Sequence, residues 1–537
     1  MPTGGSLPAI WLPAAWPETS RDENLMPTTN PLDALHARVA AVNDVLNAIS
    51  VLTWDSRTMM PAGGAHTRGL QISTLTGLAL ELLLSPQTEA ALAAAEQAVQ
   101  DLAPDALERS MVAQVQQAVA HHRRIPASLT QERAALRTVA QAAWIEARAR
   151  SDFTLFAPHL EKTVALARRY ADCVGWREHP YDAMVALYEP GETASSLKQL
   201  FATLRQGLLP LLAAAQAQPP RQRDFLFRDF PEAEQRSFGL ALAEKLGYDL
   251  QRGRLDTTVH PFEVSFTRED VRITTRYRRD YLPASMFGTA HETGHALYEQ
   301  GVDPAYTRTV FATDLIGLYA VGGTSFGAHE SQSRLWENHV VRSRDFWRLH
   351  FAELQSHFPE QLADVTPDEF YAAVTHAEPG FIRVEADELS YDLHVMLRVD
   401  IECALMDGSL RVADLPGAWN AAIQRDLGLT VPNDAQGVLQ DVHWSTGYIG
   451  SFPSYTIGNV MAAQLMAALQ QQDATLGPAL RSGHYAPLKA ALGQAIWQHG
   501  RRFGREELLV RSTGRGLDPA PYLAYLRAKY SPGNAAQ

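Results

Sequence analysis

Residues His291-Glu292-Thr293-Gly294-His295 place two histidines four positions apart, with a glutamate directly after the first. Four positions are about one helical turn, so on a helix both imidazoles leave the same face and can close on one zinc-like ion. The glutamate then lies beside the ion's open coordination position, where it can take a proton from water. Leu282, Met286 and Phe287 before the pentad, and Ala296, Leu297 and Tyr298 after it, keep a helical apolar rhythm that predicts a motif inside a helix. Gly294 costs roughly 1 kcal/mol relative to alanine in such a place. A metal nearby, or substrate backbone passing close, would account for it. Taken alone, the pentad also fits two solvated histidines on a helix surface.

The rest of the chain is that of an ordinary globular protein, 537 residues with 46% hydrophobic and 20% charged, enough for a large core. Its net charge of -13 repels phosphate backbones, so no nucleic acid partner is expected. The densest basic spot, His121-His122-Arg123-Arg124, is too short for a binding surface and reads as a helix end before Pro126. Cys173 and Cys403 stand far apart in a chain that needs no disulfide, which suits a cytoplasmic location. The apolar stretches at 7–16 and 75–84 are too short, or too broken by proline and charge, to span a bilayer, so no membrane partner is expected.

Residues 1–30 are rich in Pro, Gly, Ser and Thr and hold a second methionine, Met26; they read as a disordered extension or a misassigned start. Residues 31–537 are expected to form a single helical domain. Its helices are clearest at 84–102, 107–122, 129–150, 231–246, 386–407, 414–426, 459–472 and 485–503. The texture changes just ahead of the pentad. Residues 262–266 alternate, 271–277 are rich in Val, Ile, Thr and Tyr, and 267–270 read as the turn of a short hairpin. The expected fold class is mostly α, with a small β-sheet beside the motif helix.

A catalytic zinc takes a third protein ligand, commonly a carboxylate from a second helix. His329-Glu330-Ser331-Gln332 follows the glycine-rich stretch 322–327 and opens a helix able to double back along the first, which makes Glu330 the leading candidate. Glu299, one turn beyond His295, is a rival or an outer acceptor for a ligand imidazole. Glu337 shares the face of Glu330 two turns on.

Six stretches occur in order: His260-Pro261-Phe262, Asp270-Val271-Arg272-Ile273-Thr274, the pentad, His329-Glu330-Ser331-Gln332, Ile382-Arg383-Val384-Glu385-Ala386-Asp387 and Gly437-Val438-Leu439-Gln440-Asp441-Val442-His443-Trp444. With Trp54-Asp55, Met60-Pro61, Tyr188-Glu189-Pro190-Gly191 and Phe452-Pro453-Ser454-Tyr455, they resemble the carboxypeptidase Taq family of metallocarboxypeptidases from about residue 32 to the C-terminus. The resemblance implies a helical, zincin-like, saddle-shaped subunit with a deep groove, usually a homodimer, that removes C-terminal residues from peptides with broad preference. It implies His291, His295 and Glu330 as metal ligands and Glu292 as general base. One departure is the segment 301–327, several residues longer than the family pattern, with an apolar run at 315–321.

An enzyme acting at peptide C-termini must grip a free carboxylate, and a guanidinium does so with paired charge-assisted hydrogen bonds. Arg383, in a matched motif, is the first candidate and Arg272, on the hairpin, the second; either could instead serve an internal ion pair, Arg383 with Glu385 or Asp387. The oxyanion of hydrolysis calls for a donor, and His443 is assigned to it, with Gln440, Asp441 and Trp444 shaping the same loop. Asp441 would orient an imidazole. Tyr448 and Tyr455 are further hydroxyl donors or packing residues, and His260 is either structural or a substrate contact. The expected cofactor is one divalent ion per subunit, zinc by default, with cobalt or manganese compatible with the same ligands. The expected partners are peptides with a free C-terminal carboxylate. An oligopeptide endopeptidase, or an inactive peptide-binding protein on the same fold, is the rival reading.

Overall fold

The computed structural model describes residues 30–219 and 221–531, so the extension read in residues 1–29 lies outside the described residues. Asn30 accepts the Leu32 N–H and caps the helix Pro31–Thr58, whose proline occupies the first turn, where a missing donor costs nothing. Helices Pro86–Ala98, Leu107–Arg123, Ala127–Arg150, Glu232–Leu246, Leu415–Leu427 and Pro453–Gln472 stand where apolar periodicity places them.

Three expected helices are shorter than their pattern. In 84–102 the helix runs only over Pro86–Ala98, with Ser85 as its N-cap. In 386–407 the helix runs only over Tyr391–Asp407, because Asp387 accepts the backbone N–H groups of Leu389 and Ser390 and keeps the preceding residues in a turn. In 485–503 it runs only over Ala486–Ala495. A tight turn, Trp497–His499, follows; Gly500 then takes φ +50°, and the Arg501 N–H turns away to Phe311 O.

Three strands, β1 (Gly253–Thr257), β2 (Glu263–Thr267) and β3 (Asp270–Thr275), form one sheet in the order β1-β3-β2. The pair β2–β3 is the expected antiparallel hairpin, whereas β1, parallel to β3, is an addition that the sequence pattern does not announce. On one face Leu255, Val271 and Ile273 pack against Ala296 of the motif helix Leu282–Gly301. On the other, Arg254 and Arg272 lie over the Trp54 ring of the first helix.

The apolar side chains gather into two large clusters, and helix Pro453–Gln472 belongs to both. Met461, Ala462 and Leu465 enter one; Ile457, Val460 and Ala463 enter the other. The motif helix is buried on nearly every side, as its sheet and helix neighbours require. Gly294 answers to the packing of two helices. A Cβ there would stand 2.5 Å from Gln332 O and Ser333 Cα, so the close approach of helix Phe326–Arg334 demands the glycine. Residue 291 meets 337, 294 meets 332 and 333, and 299 meets 329, so the two elements run antiparallel. No helix among the described residues is long and apolar enough to cross a membrane.

Candidate metal centre

The two antiparallel helices bring His291, His295 and Glu330 together, with a ligand atom of each within 4.8 Å of the others. His291 Nε2 stands 3.5 Å and His295 Nε2 3.3 Å from Glu330 Oε2. Two imidazole nitrogens and one carboxylate oxygen are the donor set of a catalytic zinc site, which keeps a further position for water. Arg334 Nε donates to the other oxygen, Glu330 Oε1, at 2.7 Å and so turns Oε2 toward the histidines. Burial would raise the Glu330 carboxyl, but Arg334 and His291 outweigh it and hold the group well below the usual range. Behind it, a Cβ at Gly458 would stand 2.5 Å from Glu330 Cγ, so helix Pro453–Gln472 also closes on this side chain through a glycine.

The two histidines are backed differently. His291 Nδ1 meets Glu337 Oε2 at 3.0 Å. Glu337 rides on a widened π-helical turn, Leu335–Val341, and accepts from Arg342 Nη2 at 2.8 Å and Arg334 Nη1 at 3.3 Å. His295 Nδ1 lies 2.5 Å from His329 Nδ1. Glu299 does not join the ligand cluster. It accepts the Gly322 and Gly323 N–H groups, and its Oε1 stands 3.0 Å from His329 Nε2.

Glu292, on the same helix as the two histidines, is 6% exposed. Burial, reinforced by Glu330 and Glu337, overcomes the pull of His291 and raises its carboxyl to about 7, a value suited to a base working near neutrality.

A second polar constellation forms around Asp441. Its Oδ1 accepts from Arg383 Nη2 at 2.9 Å and its Oδ2 from Arg398 Nε at 2.6 Å. Arg383 is therefore paired, with Asp441 rather than with Glu385 or Asp387, and its Nη1 donates to Tyr391 OH. Gln440 spends its amide inside the protein: Oε1 accepts from Arg383 N and Arg398 Nη2, and Nε2 donates to Phe381 O. Gln440 and Asp441 thus bridge two sequence motifs through their own hydrogen bonds, in the loop that carries His443. His443 stacks on Phe452, and its Nε2 lies 3.1 Å from Tyr455 OH. Burial lowers its pKa to about 3, which keeps the ring neutral. Its Nδ1 is 3.9 Å from Asp441, too far for the orienting hydrogen bond expected of that acid. Arg334 lies over the Tyr391 ring, so this aromatic group joins the two constellations.

Three further candidates make other contacts. Arg272 is on the face of the sheet turned away from the motif helix, its fork taken by Asp270 at 2.8 Å and its plane over Trp54, which removes it as a carboxylate grip. Tyr448 is half-buried, its hydroxyl 3.2 Å from that of Tyr319 in the long 301–327 segment. His260 is exposed. Sequence reasoning missed Arg334, Arg342, Arg398, Tyr391 and His329. Arg334 alone carried a local signal, being one helical turn from Glu330.

Comparison with known proteins identifies the family. The profile of the family described as carboxypeptidase Taq (M32) metallopeptidase matches residues 34–530. Carboxypeptidase 1 of Bacillus subtilis is 37% identical over 485 residues, covering 90% of this chain and 95% of that protein. Thermostable carboxypeptidase 1 of Thermus thermophilus is 39% identical over 494 residues, covering 90% and 94%. The crystal structure of the M32 carboxypeptidase from Deinococcus radiodurans superposes with a TM-score of 0.88 at 40% identity, over 93% of this chain and 98% of that one. With its fold and nearly its whole length in common with these proteins, the chain belongs to the carboxypeptidase Taq (M32) family of metallopeptidases.

Proposed function

We propose that this chain removes C-terminal residues from peptides by metal-assisted hydrolysis, with Glu292 as general base. The observation that carries the reading is the convergence of His291 Nε2, His295 Nε2 and Glu330 Oε2 beside a buried glutamate of raised pKa. His291, His295 and Glu330 would hold a divalent ion, zinc by default with cobalt or manganese compatible, which would supply Lewis-acid polarisation of the scissile carbonyl and lower the pKa of a water. Glu292 takes the proton of the attacking water and hands it to the departing amine nitrogen. Neutral His443 and Tyr455 form the donor side of the site, facing the developing oxyanion. Arg383 grips the peptide's terminal carboxylate: Nη1 and Nη2 each carry a second N–H beyond those given to Tyr391 and Asp441.

Charge supports this direction of cleavage over an internal cut. Arg383 and Arg398 share the single carboxylate of Asp441, so a buried positive charge is left over for an anionic chain end. The test is mass spectrometry of one peptide offered as free acid and as C-terminal amide, with elemental analysis of the enzyme. Stepwise loss of single residues from the acid alone is expected. Equal cleavage of the amide, or internal fragments, would defeat the reading. Glu292→Gln is expected to keep its metal and lose ~100- to 10,000-fold in turnover. A homodimer is proposed as the working form, to be checked by sedimentation equilibrium. A reducing cytoplasm is the proposed setting, in keeping with the free Cys173 and Cys403.

A further inference from the structure

We propose that His329 is a positioning residue that orients His295 and, through Glu299, ties the metal centre to the long 301–327 segment. The inference rests on the ligand assignment above and adds to it a residue that need not touch ion or substrate.

The argument is one of hydrogen-bond direction. His295 turns Nε2 toward Glu330 and Nδ1 toward His329 Nδ1, 2.5 Å away. When Nε2 gives its lone pair to an ion, Nδ1 carries the ring proton and must donate it. His329 then has to accept at Nδ1, which puts its own proton on Nε2. Glu299 Oε1 stands 3.0 Å from that nitrogen. Every donor in the chain His295, His329, Glu299 therefore meets an acceptor. Glu263, the other carboxylate facing this ring, is 3.9 Å away, beyond hydrogen-bond reach.

Packing holds the bridge in place. The His329 ring lies nearly parallel to those of His295, at 4.6 Å and 24°, and Tyr298, at 5.4 Å and 17°. Gly323 leaves room for its edge, since a Cβ there would be 2.5 Å from His329 Cδ2. Beyond the ring, Glu299 accepts the Gly322 and Gly323 N–H groups at 2.9 to 3.1 Å, so the end of the 301–327 segment is fastened to the same carboxylate. His291 has no such intermediary; its support is the direct Glu337 contact. An imidazole that both accepts and donates is what the longer gap behind His295 requires.

The test measures zinc affinity of the full chain by competition with a chelator, beside the thermal stability of the metal-free protein. His329→Leu is expected to weaken zinc binding ~10- to 100-fold, the usual effect of losing a ligand's outer partner. His329→Gln offers one acceptor and one donor in sequence and is expected to recover most of that loss. Limited proteolysis should find the 301–327 segment protected by zinc in the native protein and cut regardless of zinc in His329→Leu. If His329→Leu fails to fold, Glu299→Gln takes its place and should lower zinc affinity in the same direction. Native affinity in whichever of these two variants folds would overturn the inference, as would a glutamine variant no better than leucine. His295→Ala, measured alongside, separates the two claims. Retained zinc in that variant sinks the ligand assignment itself, whereas lost zinc there with native affinity in His329→Leu sinks only the bridge.

Discussion

The charges around Glu330 and those around Asp441 are built from the same parts in different proportion. Glu330 and Glu337 face Arg334 and Arg342, two carboxylates for two guanidiniums. Asp441 alone faces both Arg383 and Arg398, each buried. Glu402, which feels the Arg398 charge, does not redress the difference: burial raises it to about 7, and its oxygens serve Trp444, Tyr181 and Gly450. A balanced cluster is complete and fixes geometry. An unbalanced one keeps an attraction in reserve, on which the proposed grip of a peptide's terminal carboxylate would draw.

The harshest way to break the comparison is Asp441→Asn, which leaves two buried guanidiniums with no counter-charge. It should cost about 3–5 kcal/mol in a urea titration at neutral pH. A loss below about 1 kcal/mol would mean that other groups already neutralise the pair. Next is the pH dependence of Glu402. Its folded pKa of about 7 lies above the ordinary 4.5, so the stability it contributes is full below pH 4.5 and is lost as pH rises toward and through 7. That window is worth roughly 3 kcal/mol. Urea midpoints at pH 5 and pH 8 should differ less in Glu402→Gln than in the native chain; an unchanged difference would make Glu402 a second counter-ion and cancel the imbalance.

How far the two clusters were legible beforehand follows from distance along the chain. The pentad reads plainly because its geometry is one helical turn, and Glu330 because a glycine-rich stretch followed by a helix implies a return. The β2–β3 hairpin shows in its alternation. The pairing of Arg383 with Asp441 spans 58 positions, and local reasoning supplied Glu385 and Asp387 in its place. Strand β1 stayed hidden for a related reason: Gly253-Arg254-Leu255-Asp256-Thr257 holds one large apolar residue, and its pairing is parallel to a strand reached only after the hairpin turns. His329 was read only as part of its motif, since the residue that gives it meaning, His295, lies on another helix.

Two finer tests sharpen the contrast. Arg383→Met should lower kcat/KM for free-acid peptides ~10- to 100-fold, the worth of a charge-assisted hydrogen bond, while leaving metal content unchanged. If metal is lost as well, the two clusters are not separable. Gly294→Ala tests packing rather than charge: its Cβ would press on backbone atoms of Gln332 and Ser333, so the two ligand-bearing helices should be forced apart at a net cost of about 1–3 kcal/mol, read by thermal melting, with weaker zinc binding in a titration.

Helix Pro453–Gln472 contributes side chains to both apolar clusters and lays Gly458 against Glu330. Neither half of the molecule can therefore come apart while the other stays whole, because each would tear a wall from its neighbour. Heat should dissolve the protein in one cooperative event, and an ion bound at the catalytic centre should shift that event for the entire chain rather than for the half in which it sits.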